Sequence, residues 1–354
     1  MKVFTKSQLA LIFLAIACFI GVVTSIIVNS LITNQIIFEA QERVKEHLST
    51  AGWVYTSKIN DIDRTIRWAS ARQVVLTKAI KEKNFSSIRG AFSGIMAEEG
   101  LDFLTLVDEK GTVLFRFHNP ELSGDSLAQD PFFRTALKKK GVSGTQVLSK
   151  EELLKEGNDF AKKALFQLIP TPKEKRTERI EESSGMVLKS THLIIGFNGE
   201  ILGALVGGVL LNRNYEIVDR IKNIVFKDAK YKGKEIGTAT IFLGDLRIST
   251  NVMDKEGNRA IGTRAMKEVQ EQVLEKGLPW IQRAFVVDDW YITAYEPIRD
   301  IQDKIVGMLY VGMLESKYAM LKGRLILLFF FFSMSGMLIA LIVSFILSWK
   351  IFKG

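Results

Sequence analysis

Ile201-Leu202-Gly203-Ala204-Leu205-Val206-Gly207-Gly208-Val209-Leu210 and Ile305-Val306-Gly307-Met308-Leu309-Tyr310-Val311-Gly312-Met313-Leu314 repeat Ile, Gly, Leu, Gly and Leu in register. Both are apolar runs of strand length, and the elements before them recur in the same order. Ahead of the first lie a strand over 101–107, the turn Asp108-Glu109-Lys110-Gly111 and a strand over 112–117, a hairpin pattern. A further strand over 186–195 then reaches 201–211 through Asn198-Gly199. Ahead of the second lie 238–243, Gly244-Asp245 and 246–251, followed by 280–287, Asp288-Asp289 and 290–298. This order predicts a tandem duplication in which each half is a hairpin, a helix-containing crossing segment and an antiparallel meander. The crossing segment of the first half, 149–184, is the longer, and its charged, Pro-interrupted end PTPKEKRTERIEESS reads as a surface loop. Between the halves, 214–226 carries Ile217, Ile221 and Ile224 at helical spacing.

Upstream, 35–83 contains no Pro and one Gly, and Val44, Leu48, Ala51, Tyr55, Ile59, Ile62, Ile66 and Ala69 fall at steps of three and four. That spacing predicts one long helix with an apolar stripe. The stripe needs a partner, either the modules packed along it or a second copy of the chain.

The soluble stretch is bracketed by the apolar segments 9–32 and 325–347, each long enough to cross a bilayer as a helix. The first exceeds the usual h-region of a signal peptide, roughly 7–15 residues, and no small-residue cleavage site follows it. Lys2 and Lys6 precede the first span and Lys350 and Lys353 follow the second, with no acidic residue among them, so the positive-inside rule puts both ends in the cytoplasm. The net charge of +9 reads as a soluble surface beside an anionic membrane, not as a nucleic-acid-binding face. Cys18, in the first span, is the one cysteine, which excludes a disulfide or a Cys-based zinc site from the exported part and fits bacterial export. The expected organisation is a tail over 1–8, a span over 9–32, a long helix over 33–83, modules over 84–212 and 213–323, a second span over 324–348 and a stub over 349–354. The fold class is α+β, two tandem antiparallel-sheet modules on one N-terminal helix between two transmembrane helices.

Several stretches resemble the double Cache domain, two PAS-like modules on one long helix in the extracytoplasmic part of bacterial receptors. FRFHNPELSGDSL (115–127) is similar to the R-x-H-x-P…G-D segment of the Cache 3 type, and DPFFRTAL (130–137) to the D-x-x-F-x-x-A-L helix over a Cache pocket. In the second half IFLGDLRISTNV, GNRAIGTR and WYITAYEPIRDIQDKIVGMLYVG resemble the Cache 2 type. The resemblance implies a small ligand recognised in the membrane-distal module and no cofactor. It also implies a homodimer and a signal passed through the second span to a methyl-accepting, histidine kinase or diguanylate cyclase unit. Seven residues, 348–354, follow that span, so the expectation is either a longer protein or a receptor acting through a cytoplasmic partner.

A pocket for a small carboxylate or amine wants a charged group, aromatic walls and a few donors around a concave sheet. In the first module the candidates are Arg116, His118, Asp130, Phe132, Phe133 and Arg134. Arg116 and His118 alternate with Phe115 and Phe117 and so share a strand face, where Arg116 is able to clamp a carboxylate in a fork. A structural hydrogen bond is the other use of His118, and capping of the following helix that of Asp130. In the second module the candidates are Arg247, Arg259, Tyr291 and Tyr295. The two tyrosines lie four apart on one strand, where aromatic residues belong to a core more often than to a ligand wall. The two arginines are harder to place in a core without a partner, and Asp245 or Glu296 is the expected counter-charge.

There is no H-E-x-x-H, G-x-S-x-G or Walker loop, and His47, His118 and His192 are scattered, so neither an enzyme nor a metal protein is expected. The reading is a two-pass bacterial inner-membrane receptor for a small organic acid, amine or amino acid. Its rivals are a membrane-anchored periplasmic interaction protein and, less in keeping with the motifs, a tethered enzyme.

Overall fold

The computed structural model describes residues 6–227, 230–231 and 233–351; Lys2 and Lys353 of the expected cytoplasmic ends lie outside them. Contacts divide the chain into two units, Val44–Met313 and a second formed by the residues up to Arg43 together with those from Leu314 onward.

The smaller unit is helical. It contains the start of α1 (Lys6–Ser70) and α9 (Glu315–Ile351). Each helix holds an 18-residue window of high mean hydropathy, 1.6 and 2.6, with none of the window buried. Phe19, Phe332 and Phe345 are all more than 70% exposed, as side chains facing lipid would be. Both helices are long and apolar enough to cross a bilayer.

In the larger unit the helical stripe finds its partner within the chain. Val44, Leu48, Ala51, Tyr55, Ile62, Ile66 and Ala69 are buried, and Ile59 is half-buried. The modules therefore pack along α1. The helix ends sooner than its periodicity predicts. Arg72, with φ −74° and ψ 58°, interrupts it, and α2 (Gln73–Glu82) follows. No Pro or Gly marks this break. It is held by tertiary contact, since Ser70 is buried and Gln73 Nε2 donates to Ile195 O at 2.8 Å. Helix α3 (Ser86–Glu99) was absent from the sequence reading, although Ile88, Phe92 and Met96 bury one face at steps of four.

The first module is a sheet of β1 (Phe103–Asp108), β2 (Val113–Arg116), β3 (Gly141–Leu148), β4 (Gly185–Ile195) and β5 (Ile201–Leu210), in the order β2-β1-β5-β4-β3. The second is β6 (Gly237–Leu243), β7 (Leu246–Thr250), β8 (Trp280–Val286), β9 (Asp289–Arg299) and β10 (Ile305–Leu314), in the order β7-β6-β10-β9-β8. The two orders are identical once each strand is advanced by five, so the duplication holds at the level of topology. It holds in register too. Asp108 pairs with Gly203 as Leu243 pairs with Gly307, and the bulge between Leu106 and Val107 recurs between Ile241 and Phe242.

The glycines of the repeat have a steric cause. A Cβ at Gly203 would collide with the Val107 carbonyl oxygen, and one at Gly307 with the Phe242 carbonyl oxygen. We expect Gly307→Ala to force the β6 and β10 backbones apart and lower stability by about 1–3 kcal/mol. A melt of the variant that matches the wild type would contradict this origin of the repeat.

The crossing segment of the first module contains helix, as expected, ahead of its charged, Pro-interrupted end. It contains α5 (Lys150–Glu156) and α6 (Asn158–Ala164), and a two-residue strand Phe166–Gln167 pairs with Glu181–Glu182. The signal for its first helix is Ser149-x-x-Glu152, which forms a capping box: Glu152 N donates to Ser149 Oγ, and Ser149 N to Glu152 Oε2 at 2.7 Å. Between the modules α7 (Glu216–Phe226) buries Ile217, Val218, Ile221 and Phe226, while Ile224 is exposed rather than part of that face, and the short α8 (Lys267–Gln270) lies in the crossing segment of the second module.

Candidate ligand-binding site

Helix α4 (Pro131–Lys139) starts where an Asp-Pro pair dictates. The Asp130 carboxylate accepts from Phe132 N at 2.9 Å and Phe133 N at 3.1 Å, and Pro131 occupies the first turn. Its other oxygen holds Lys189 Nζ at 2.7 Å, and that ammonium lies 5.2 Å from the Phe132 ring centre. Burial alone would raise the Asp130 carboxyl, but Lys189 and the amide donors outweigh it and the group sits below the usual range. Phe132 and Phe133 are buried, Phe133 in the core with Val107, Val113 and Ala136, whereas Arg134 is exposed.

Arg116 is fully buried, but it is also fully matched. Nη1 and Nη2 bind the Asp125 oxygens at 2.7 and 3.0 Å, Nη1 reaches Leu122 O at 3.2 Å, and Nε lies 3.4 Å from Glu156 Oε1. His118 Nε2 stands 2.8 Å from Glu156 Oε2, and its Nδ1 accepts from Leu104 N at 3.2 Å. The face expected to clamp a ligand carboxylate already holds two carboxylates of the chain. These partners come from the loop after β2 and from α5, in the helical part of the crossing segment.

The second module differs. Alternation along β6 sends Gly237, Ala239 and Ile241 to one face, where a Cβ at Gly237 would strike the Phe226 ring of α7, and Thr238, Thr240 and Phe242 to the other. On that other face register places Tyr310 opposite Thr240, and on the neighbouring strands Trp280 opposite Tyr295 and Ala284 opposite Tyr291. The rings form a box: Tyr295 to Tyr310 is 4.7 Å between centres, Phe242 to Tyr295 6.0 Å and Phe242 to Tyr310 6.4 Å. Arg247 of β7 enters it, its guanidinium carbon 5.0 Å from the Phe242 ring centre.

Among the described residues no carboxylate pairs with Arg247. Asp245, an expected partner, is taken by Arg264 at 2.5 Å and Arg179 at 3.1 Å, and the other, Glu296, is not paired with it. The guanidinium makes one side-chain bond, from Nη1 to Thr263 Oγ1, and the buried Nε has no acceptor. Trp280 Nε1, on the same face, is also buried without an acceptor. Burial pushes the Arg247 guanidinium down, and burial pushes the Tyr291 hydroxyl up to about 12 and those of Tyr295 and Tyr310 higher still. The tyrosines are therefore neutral and supply no counter-charge. What the box lacks is an acceptor with negative charge.

Arg259 is not part of it. It forks onto Asp219 of α7 at 2.9 and 2.8 Å, donates to Thr250 O at 2.8 Å and stacks on Tyr215 at 4.1 Å, tying the connector to the second sheet. Of the ten candidates, then, the structure gathers Arg247, Tyr291 and Tyr295 on one face. It disperses the rest into caps, core, surface and internal ion pairs. Trp280 and Thr263, which the sequence also sets beside these candidates, join that face; Tyr310 was missed, and its signal was the departure from the apolar repeat at the position of Val206.

Residues 209–324 match the family model described as single Cache domain 3. The second module is thus similar to a Cache domain along most of its length. Its matched type is Cache 3, where the residue pattern resembles Cache 2 and the Cache 3 pattern lies in the first module. No curated protein matches the chain. Among solved structures, the chain is similar to the periplasmic domain of Vibrio cholerae LuxQ, with 11% identity over 76% of this chain and 98% of that one, and a TM-score of 0.44. It is similar to the sensory domain of the Campylobacter jejuni chemoreceptor Tlp3, with 10% identity over 82% and 98% and a TM-score of 0.44. The sensor domain of the V. cholerae histidine kinase DctB gives 11% identity over 77% and 96%, and a TM-score of 0.42. Tlp3 has also been crystallised with L-valine.

Proposed function

We propose that the chain is the sensing part of a two-pass bacterial inner-membrane receptor, and that a small carboxylate seats against Arg247 in the second module. The observation that carries the ligand class is a buried guanidinium with no carboxylate beside it and an unmatched Nε. An uncompensated ion in a protein interior costs several kcal/mol, and an incoming carboxylate removes that cost while the fork geometry orients it. The neutral tyrosines and Trp280 then supply walls and donors, and exclude water.

The lysine-bearing ends support a periplasmic placement of the modules and cytoplasmic termini. Strand β10, the central strand of the ligand-bearing sheet, ends at Leu314 and α9 begins at Glu315, so the middle of that sheet continues covalently into the second span. A ligand that favours one arrangement of this sheet biases the span by its differential affinity, and thereby a cytoplasmic output unit. Pairing of two copies along α1, where Trp53 and Trp68 are 62% and 70% exposed, belongs to the same proposal.

Thermal melts of the full chain in nanodiscs test the ligand class. Acetate, propionate and pyruvate are expected to raise the melting temperature with the logarithm of their concentration, adding about 2.7 kcal/mol of stability at a hundred times Kd. A panel in which no carboxylate moves the melt would remove the proposal.

A further inference from the structure

A second charged group of the larger unit lacks a counter-charge among the described residues, and its sign is opposite. Glu296 follows Tyr295 on β9 and so faces away from the aromatic box, toward α1. A Cβ added to Gly52 of α1 would lie 3.0 Å from Glu296 Oε1. The carboxylate is thus lodged against the helix where the absence of a side chain leaves room. It borders a cavity of about 360 Å³ formed by α1, the middle of β3, the end of β9 and the segment that follows it.

Among the described residues at this cavity no cation neutralises Glu296. Arg299, the nearest lining cation in sequence, turns to Asp303, donating to its carbonyl at 2.9 Å and lying 3.4 Å from its carboxylate. Asp300 is occupied by the backbone amides of Gln302 and Lys304 at 2.8 and 3.0 Å. Burial raises the Glu296 carboxyl, with no opposing contribution from a cation. The wall also offers the hydroxyl pair of Tyr55 and Thr145, 2.8 Å apart, as hydrogen-bond acceptors, and Ile59 and Ile301 as an apolar surface.

We propose that this cavity, where both modules meet α1, is a second ligand site that takes a small alkylammonium ion, its nitrogen on the Glu296 carboxylate and its carbon chain against Ile59 and Ile301. An ammonium donates three hydrogen bonds and accepts none, which matches a carboxylate flanked by hydroxyls. A divalent metal does not match: it demands several oxygen ligands, and no group of three or more His, Cys, Asp or Glu is gathered among the described residues. The volume lies within the range of small-molecule sites. Thr145 of β3 bridges in parallel to Asp300 of the second module, so an occupant here braces the contact between the modules. The site is separate from that of Arg247 and does not depend on it.

The test uses the full chain in nanodiscs with ethanolamine and putrescine as probes, and sodium chloride at matched ionic strength. Either amine is expected to raise the melting temperature with the logarithm of its concentration. Glu296→Gln should weaken the amine response at least tenfold, raise the melting temperature of the amine-free protein at pH 7, and leave the acetate response intact. Arg247→Met should do the reverse, keeping the amine response and losing that to acetate. An amine response equal to that of sodium chloride, an undiminished response in Glu296→Gln, or none in the wild type would each overturn the proposal without touching the carboxylate site.

Discussion

Arg116→Met is expected to lower the stability of the full chain by about 3–5 kcal/mol, because it strands Asp125 and Glu156 in a buried place without their cation. Arg116 is 0% exposed and makes three side-chain bonds to those two carboxylates. The acid dependence should change with it. Asp125 is held below its ordinary value of 3.8, first by the hydrogen bond from Arg116. Glu156 is held below 4.5, since burial, which would raise it, is outweighed by His118 and Arg116. A carboxyl with a lowered folded-state pKa contributes stability above its unfolded pKa and loses it as pH falls through the folded one. Wild-type melting temperatures should therefore drop as pH goes below about 4.5, and the Arg116→Met profile should be flatter. A variant as stable as the wild type, with the same acid profile, would show that the cluster is not what holds α5 against the sheet.

Arg247→Met should shift stability the other way. This arginine is as buried as Arg116 but has no carboxylate, so an apolar side chain of similar length removes an unmet desolvation cost. The ligand-free protein is expected to gain about 1–4 kcal/mol, the range seen when buried ions give way to well-packed apolar groups. The same variant should lose response to carboxylates altogether. Stability gained with binding lost separates a ligand-binding arginine from a structural one, for which both would fall together. Two arginines on corresponding hairpins thus carry opposite expectations, and the difference is the company each keeps.

That company is where the sequence stops being legible. The repeat could be read from 201–210 and 305–314 because its glycines answer to a local collision with the neighbouring strand, so the pattern is written in the strand itself. The stripe on α1 was legible for the same reason, being one helix face. The break at Arg72 was not, because contacts from distant residues such as Ile195 fix it. Strand β3 was missed because Gly141 and Gly144 dilute its apolar pattern, and α3 because Gly90 and Gly94 do the same. For the sites, the residue types were visible but their pairing was not. Arg116 read as a ligand clamp until Asp125 and Glu156, nine and forty residues on, closed around it. Arg247 read as satisfied by Asp245 until Arg179, from the preceding module's crossing segment, and Arg264 claimed that carboxylate. A buried charge is conspicuous in sequence, and its counter-charge is a property of the fold.

The central claim is that the unmatched guanidinium of Arg247 receives a carboxylate. Its most direct test is the arginine Nε–H resonance of the full chain in detergent, with Arg247 assigned through Arg247→Met and Arg116 through the corresponding variant. On titration with propionate the Arg247 Nε–H signal should move downfield and saturate, as expected for a new charge-assisted hydrogen bond, while that of Arg116 stays in place. Movement of the Arg116 signal alone, or of neither with acetate, propionate or pyruvate, would contradict the account.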